Sequence, residues 1–113
     1  MWSIVNDLDI YKYEIYVSDD SEEKDKYYES IGERDDIIVT HYRRCCKLHF
    51  LNCDRLESKM KETNYLYITN LYIVEKVNLE TIKKSIENDF KTLGFMYLIP
   101  GVFVDTSKYK KIY

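Results

Sequence analysis

The sequence predicts a small α/β (α+β) domain, a two-layer sandwich in which three helices pack on a mixed sheet of about four strands. Segments of strand type alternate with segments of helical periodicity in the order β-α-β-α-β-α-β, which is typical of a sheet covered by helices. The length of 113 residues matches one domain, so we treat 1–113 as a single unit. A hydrophobic content of 45% and a charged content of 33% are ordinary for a globular chain and too apolar for disorder.

The first two predicted elements are a strand over residues 10–18 and a short helix within residues 19–33. In the strand, aromatic and apolar residues on one face alternate with mostly polar residues on the other. That face carries Tyr11, Tyr13, Ile15 and Val17. In the helix, Asp20 has the N-cap position with Glu23 three residues later, and Gly32 suits the position after the last turn. Because its apolar side is thin, we expect a surface helix or an acidic loop.

The middle of the chain predicts a second strand from Ile37, a second helix and a third strand. Asp54, followed by Glu57, is the predicted cap of a helix that runs to about Glu62. The segment YLYITNLYIV, residues 65–74, is apolar or aromatic on both faces, as expected of a central strand covered on both sides. The polar Asn70 disagrees with that prediction.

The strongest local signal predicts a helix between Asn78, a favourable N-cap, and Gly94 after the last turn. Its apolar residues recur at intervals of three and four. They are Leu79, Ile82, Ile86, Phe90 and Leu93. The following segment, residues 95–104, predicts a strand interrupted by Pro100, and so an edge strand with a kink or two short strands joined by a turn.

The stretch HYRRCCKLHFLNC, residues 41–53, contains both histidines and all three cysteines. Residues 41–51 fit either a helix or a strand. The β-rich residues 36–40 before them and the helix start at Asp54 favour the strand. In a strand, Cys46, Leu48 and Phe50 face inward. The predicted outer row is His41, Arg43, Cys45, Lys47 and His49.

This crowding of thiols and imidazoles does not predict a metal site. On one strand His41 and His49 lie about 26 Å apart, and in a helix Cys46 and Cys53 lie roughly 10 Å apart along the axis. Cys46 and His49 are the one pair placed to chelate an ion, and only if the segment is a helix. One pair supplies too few ligands, so Cys46 is interpreted as a small apolar core residue. We expect no cofactor.

Catalysis is not predicted either. Between Arg43 and Lys47, an outward Cys45 has the environment of a reactive thiol, with His41 or His49 as a candidate base. No acid or amide is recognisably placed to orient either histidine, and no phosphate loop, G-x-S-x-G or H-E-x-x-H motif occurs. The three cysteines do not form a disulfide framework and favour the reducing cytosol. Neither a signal peptide nor a membrane-spanning run of about 20 apolar residues is expected.

Charge and composition predict a protein that binds another protein. Residues 1–40 carry 12 acidic and 4 basic residues, which suits a partner with a basic surface. The predicted contact residues are Asp19, Asp20, Glu22, Glu23, Asp25, Tyr27 and Tyr28. An inhibitor or immunity protein fits this pattern. A viral or phage protein that acts on a host factor fits it too, because the residue usage, rich in Ile, Lys, Asn and Tyr, is typical of AT-rich genomes.

Nucleic-acid binding is the alternative interpretation. Its candidate residues are Arg43, Arg44 and Lys47, with Lys108, Lys110 and Lys111 of the C-terminal tail. The sequence pI of about 5.4 and the absence of any recognition signature argue against it.

Overall fold

A five-stranded mixed sheet forms the centre of the computed structural model, which describes residues 12–101 and 105–113. Its strands are β1 (Tyr13–Val17), β2 (Glu33–His41), β3 (Arg44–Leu51), β4 (Leu71–Ile73) and β5 (Lys110–Lys111). They lie in the order β4-β3-β2-β1-β5. Neighbouring strands are antiparallel except β3 and β4, which are parallel. The predicted mixed sheet is confirmed, with five strands against the expected four.

All three predicted helices are present as α1 (Glu22–Ile31), α2 (Cys53–Thr63) and α3 (Leu79–Leu93), and a 3-10 turn covers Thr106–Lys108. The caps of α3 are those predicted, since Asn78 accepts from the Thr81 amide and Gly94 is left-handed with φ 57°.

The first turns of the other two helices differ from the prediction. Ser21 caps α1 in place of Asp20, and Asn52 caps α2 in place of Asp54. Each cap accepts a hydrogen bond from an amide three residues on, and a second cap-forming residue one or two positions away competes for the cap position, so local sequence leaves the choice open.

The single strand predicted from Ile37 through residue 51 is instead a β-hairpin. Strands β2 and β3 are joined by Tyr42 and Arg43, and His41 pairs with Arg44 across the turn. Of the two turn residues only Tyr42 has a positive φ, 62°, a backbone conformation that usually selects glycine. Without glycine or asparagine at the turn, the sequence contained no hairpin signal.

The hairpin settles the choice between helix and strand for residues 41–51 in favour of strand, and confirms the inward row. Cys46, Leu48 and Phe50 are buried. The predicted outer row is wrong at His41, which ends β2 on the inward face and contacts Phe90 edge-on at 5.2 Å. Because the chain reverses at Tyr42, His41 changes to the opposite face from Cys45, Lys47 and His49.

One further strand prediction is confirmed only in part, and another is wrong over its described residues. Over residues 65–74 only Leu71–Ile73 forms a strand, and β4 lies at the sheet edge, while Tyr65 and Tyr67 are 71% and 85% exposed. Asn70 is left-handed with φ 54° and lies in a turn directly before β4 begins. Residues 95–101 form turns and irregular chain, and 102–104 lie outside the described residues.

The main core lies between the sheet and α3. The apolar spacing of α3 places Ile82 and Ile86 fully inside, Leu79 and Phe90 partly inside, and Leu93 in solvent. On the facing side of the sheet the buried residues are Tyr13, Ile15, Val17, Ile37, Val39, Cys46, Leu48 and Phe50. Burial of this apolar surface is the main favourable term in folding.

A buried arginine joins this core to α1. The Arg34 side chain has no exposed surface, and its Nε and Nη2 atoms donate to the Asp36 carboxylate at 2.6 and 3.1 Å. Nη2 also donates to the Asp19 carbonyl at 2.6 Å, and the guanidinium lies 4.3 Å from the Tyr28 ring centre. Its charge is thereby matched by a carboxylate, a carbonyl and an aromatic face.

Asp36 and Asp25 complete the buried network. Burial opposes ionisation of Asp36, but the hydrogen bonds from Arg34 and Ser18 outweigh it and keep the pKa of Asp36 below its usual value. Asp25 lies 3.8 Å from Nη1 of Arg34 and accepts from the Leu79 amide at the start of α3. The network therefore fixes α1 against both β2 and α3.

Replacing Arg34 tests this network. Arg34→Met leaves buried carboxylates without their cation, and we expect the free energy of unfolding to fall by about 3–5 kcal/mol. The matched control is Arg55→Met, because Arg55 also pairs with a carboxylate but is 40% exposed, so its loss should cost less than about 1 kcal/mol. Urea unfolding monitored by circular dichroism measures both. Equal losses would contradict the structural role of Arg34.

The turn residue Tyr42 allows a second test. Tyr42→Gly removes the strain of a positive φ at a side chain, and we expect the free energy of unfolding to rise by roughly 0.5–1 kcal/mol. Arg43→Gly is the control, since this neighbour has no positive φ and glycine there only adds freedom to the unfolded chain. A Tyr42→Gly variant less stable than Arg43→Gly in thermal unfolding would refute the turn conformation.

Candidate interaction surface

The predicted contact residues divide into an outward and an inward group. Glu22, Glu23 and Tyr27 are exposed on one side of α1, and Tyr27 is 52% exposed. We call these three residues the outer α1 row. None of the ten residues of α1, all of them described, is buried. The expectation of a thin apolar side and a surface helix is therefore confirmed.

Lysines lie beside the outer α1 row. Lys26 pairs with Glu22 at 3.1 Å, with both side chains largely in solvent, and Lys24 lies 5.4 Å from the Tyr27 ring centre. Exposed pairs of this kind are worth little energy and break easily when a partner offers a better cation. Glu23 makes no ion pair with any other described residue.

Asp25 and Tyr28 face the opposite way and anchor the helix. Asp25 bonds the Leu79 amide at 2.9 Å, and the Tyr28 ring covers the Arg34 guanidinium and touches the core cluster. The sequence could not separate these two residues from the outer α1 row, because their role depends on Arg34, which lies on β2. Asp25 and Tyr28 therefore hold α1 in place while the outer α1 row stays in solvent.

Asp19 and Asp20, just before α1, have local partners. Asp19 accepts from the Ser21 amide at 2.8 Å, and hydrogen bonds from the backbone and side chain of Ser21 lower the pKa of Asp19. Asp20 pairs at 3.0 Å with Lys110 of β5, and Glu14 of β1 pairs with Lys111 in the same way. The lysine-rich tail thus lies against the acidic part of the chain.

The alternative basic residues are not brought together. Arg43 is exposed in the hairpin turn and Lys47 is exposed on β3, but Arg44 donates to the carbonyls of Phe95 and Leu98. Strand β5 lies three strand positions from β3, a distance of about 14 Å at the usual spacing. Lys108, Lys110 and Lys111 therefore do not continue the Arg43 and Lys47 surface.

The three cysteines differ in position and in exposure. Cys45 is half-buried on β3 opposite Thr40, Cys46 is buried, Cys53 is exposed, and all three are free thiols. Burial raises the pKa of the Cys46 thiol. Over residues 12–101 and 105–113, no three metal-ligating side chains come together.

Sequence reasoning missed an ionic centre at Glu33. Its carboxylate accepts from His49 Nε2 at 2.7 Å and Arg55 Nε at 2.9 Å, and pairs with Lys59 Nζ at 3.1 Å. Although burial opposes ionisation, these hydrogen bonds hold the pKa of Glu33 below its ordinary value. Arg55 and Lys59 are four residues apart on one side of α2, and that spacing was the available signal.

The Glu33 centre predicts a specific dependence of stability on pH. Because the pKa of Glu33 is lowered on folding, its contribution is present above its unfolded pKa of about 4.5 and is lost as the pH falls below that value. Glu33→Gln should lower the free energy of unfolding by about 1–2 kcal/mol at neutral pH, and this difference from wild type should shrink in acid.

Urea unfolding at neutral pH and in steps below pH 4.5 measures that difference. Glu23→Gln is the control, since it removes an exposed carboxylate without breaking an ion pair between described residues. A Glu33→Gln penalty that is the same at every pH would contradict the proposed role of ionised Glu33.

Comparisons with known proteins do not assign a function to this chain. None of the described helices is long and apolar enough to cross a membrane. No family model, curated protein or solved structure shows a significant match to the chain.

Proposed function

We propose that this protein works by binding another protein, without catalysis, and that the outer α1 row contacts a basic surface of the partner. One observation carries the proposal: α1 is fixed from behind by the buried Arg34 network while Glu22, Glu23 and Tyr27 remain in solvent. A preorganised surface loses little conformational entropy on binding.

The chemistry of the outer α1 row suits such a contact. Tyrosine is enriched among residues that dominate binding energy, because it buries a large ring and keeps a hydroxyl for hydrogen bonding. Adjacent carboxylates attract a basic partner over a distance of about 8–10 Å at moderate salt. An inhibitor that covers a basic active site, an immunity protein, and a viral or phage protein that binds a host factor are the forms of the proposal.

A cytosolic location belongs to the same proposal. All three cysteines are free thiols, including the exposed Cys53, and free thiols persist most readily in a reducing compartment. The partner is therefore sought in the cytosol of the producing cell, or in the cytoplasm or nucleus of the host if the protein is viral.

Charge reversal on α1 tests the proposal once a partner has been captured from native host extract and identified by mass spectrometry. The double variant Glu22→Lys and Glu23→Lys should weaken binding at least about tenfold at low salt, with a smaller effect at high salt. Asp25 is left intact, because changing it would disturb the Arg34 network. Isothermal titration at two salt concentrations provides the affinities.

Glu57→Lys is the matched control. Glu57 is an exposed helical glutamate on α2 with a lysine four residues later, as Glu22 is on α1, and its reversal should leave the affinity unchanged. If the double α1 variant binds as wild type does, the proposed surface is wrong.

Gel shifts with DNA and RNA at two salt concentrations examine the alternative of nucleic-acid binding. Under our proposal the protein retards neither DNA nor RNA specifically. A shift that disappears in Arg43→Glu and Lys47→Glu, and persists in the double α1 variant, would overturn the proposal in favour of the basic residues.

A further inference from the structure

A groove of about 640 Å³ lies at one end of the sheet, away from the outer α1 row. The first residue of β1, Tyr13, and the last residue of β2, His41, form its floor, and Phe90 near the end of α3 forms one side. Tyr113, after β5, forms another side. This volume lies within the range of roughly 300–1,000 Å³ that is usual for small-molecule sites.

The walls of the groove are aromatic and touch one another. The rings of Tyr13 and Tyr113 are stacked with centres 4.7 Å apart and an interplanar angle of 20°. Phe90 lies 4.6 Å from Tyr13, and His41 meets Phe90 edge-on at 5.2 Å. Tyr113 is 59% exposed, so an aromatic surface remains open to a ligand. A planar ring is the natural complement of such a wall.

Among the described residues at the rim, one cation is left without an ion pair. Lys91 pairs with Glu87 at 2.6 Å, and Lys111 pairs with Glu14. Lys12 is exposed and forms no ion pair with another described residue. Both rim carboxylates are already matched by lysines, so the groove favours an anion over a cation.

The tyrosine hydroxyl on the floor stays neutral. Burial, a hydrogen bond with Tyr113 and the charge of Glu87 raise the pKa of Tyr13 to about 12. At neutral pH this hydroxyl therefore keeps its proton and adds no negative charge that would repel an anion.

We propose that the groove binds a small aromatic anion, whose planar ring lies against Tyr113 and Phe90 and whose carboxylate or phosphate pairs with Lys12. The site is independent of the protein-binding surface on α1. It adds a ligand-binding function that the proposed partner interaction does not require.

Titration of the isotope-labelled full chain with naphthoate, followed by two-dimensional NMR, tests the site. We expect the largest shifts at Tyr13, His41, Phe90 and Tyr113. Lys12→Glu should weaken naphthoate binding about tenfold, the loss of one charge-assisted contact. Tyr113→Ala should weaken it similarly while the melting temperature stays close to that of wild type, because Tyr113 is mostly exposed.

Matched ligands and a matched lysine make the result decisive. Naphthyl phosphate in place of naphthoate distinguishes a phosphate from a carboxylate as the preferred anion, and either preference supports the site. Lys76→Glu, a reversal at an exposed lysine outside the groove, should leave the affinity unchanged. Neutral naphthylmethanol binding as tightly as naphthoate, inorganic phosphate binding as tightly as naphthyl phosphate, or no shifts at millimolar ligand would each overturn the proposal.

Discussion

A guanidinium group with no exposed surface joins β2, α1 and the segment before α1. Arg34 reaches the Asp36 carboxylate, the Asp19 carbonyl and the Tyr28 ring, and Asp25 extends the network to the first amide of α3. A buried cation without partners is costly, so these contacts must form whenever β2 is folded. Helix α1 thereby acquires a fixed position although none of its ten residues, all described, is buried.

This arrangement explains how a polar helix can serve as a rigid contact surface. An amphipathic helix usually holds its position by burying an apolar stripe, as α3 does with Ile82 and Ile86. Helix α1 is held by polar contacts at Asp25 and by the Tyr28 ring over Arg34. The residues on its other side are therefore not needed to hold the helix in place. Acidic and aromatic side chains can therefore remain in solvent at little cost to the fold.

In the folded structure, ion pairs neutralise part of the charge asymmetry that the sequence shows. Along the chain the acidic residues concentrate in the first 40 positions and basic ones follow. In the structure Glu14 and Asp20 pair with lysines of β5, and Glu33 is surrounded by His49 and two α2 cations. Much of the apparent asymmetry is thus internal, while Glu22 and Glu23 of the outer α1 row stay exposed. The same pairing occupies two of the lysines on which nucleic-acid binding would depend.

The sequence by itself determined the mixed α/β class, all three helices, the two caps of α3 and the inward row of Cys46, Leu48 and Phe50. These features depend on periodicity and on hydrogen bonds within a few residues, so a single sequence contains their signals. The reversal at Tyr42, the short edge strand β4 and the split of the acidic residues were decided only by the tertiary structure. The Tyr42 turn lacks the glycine or asparagine that would signal it, and β4 exists only through its pairing with the earlier strand β3. Asp25 and Tyr28 turn inward because of Arg34 on the next strand, a contact between two elements that the periodicity of either one does not show.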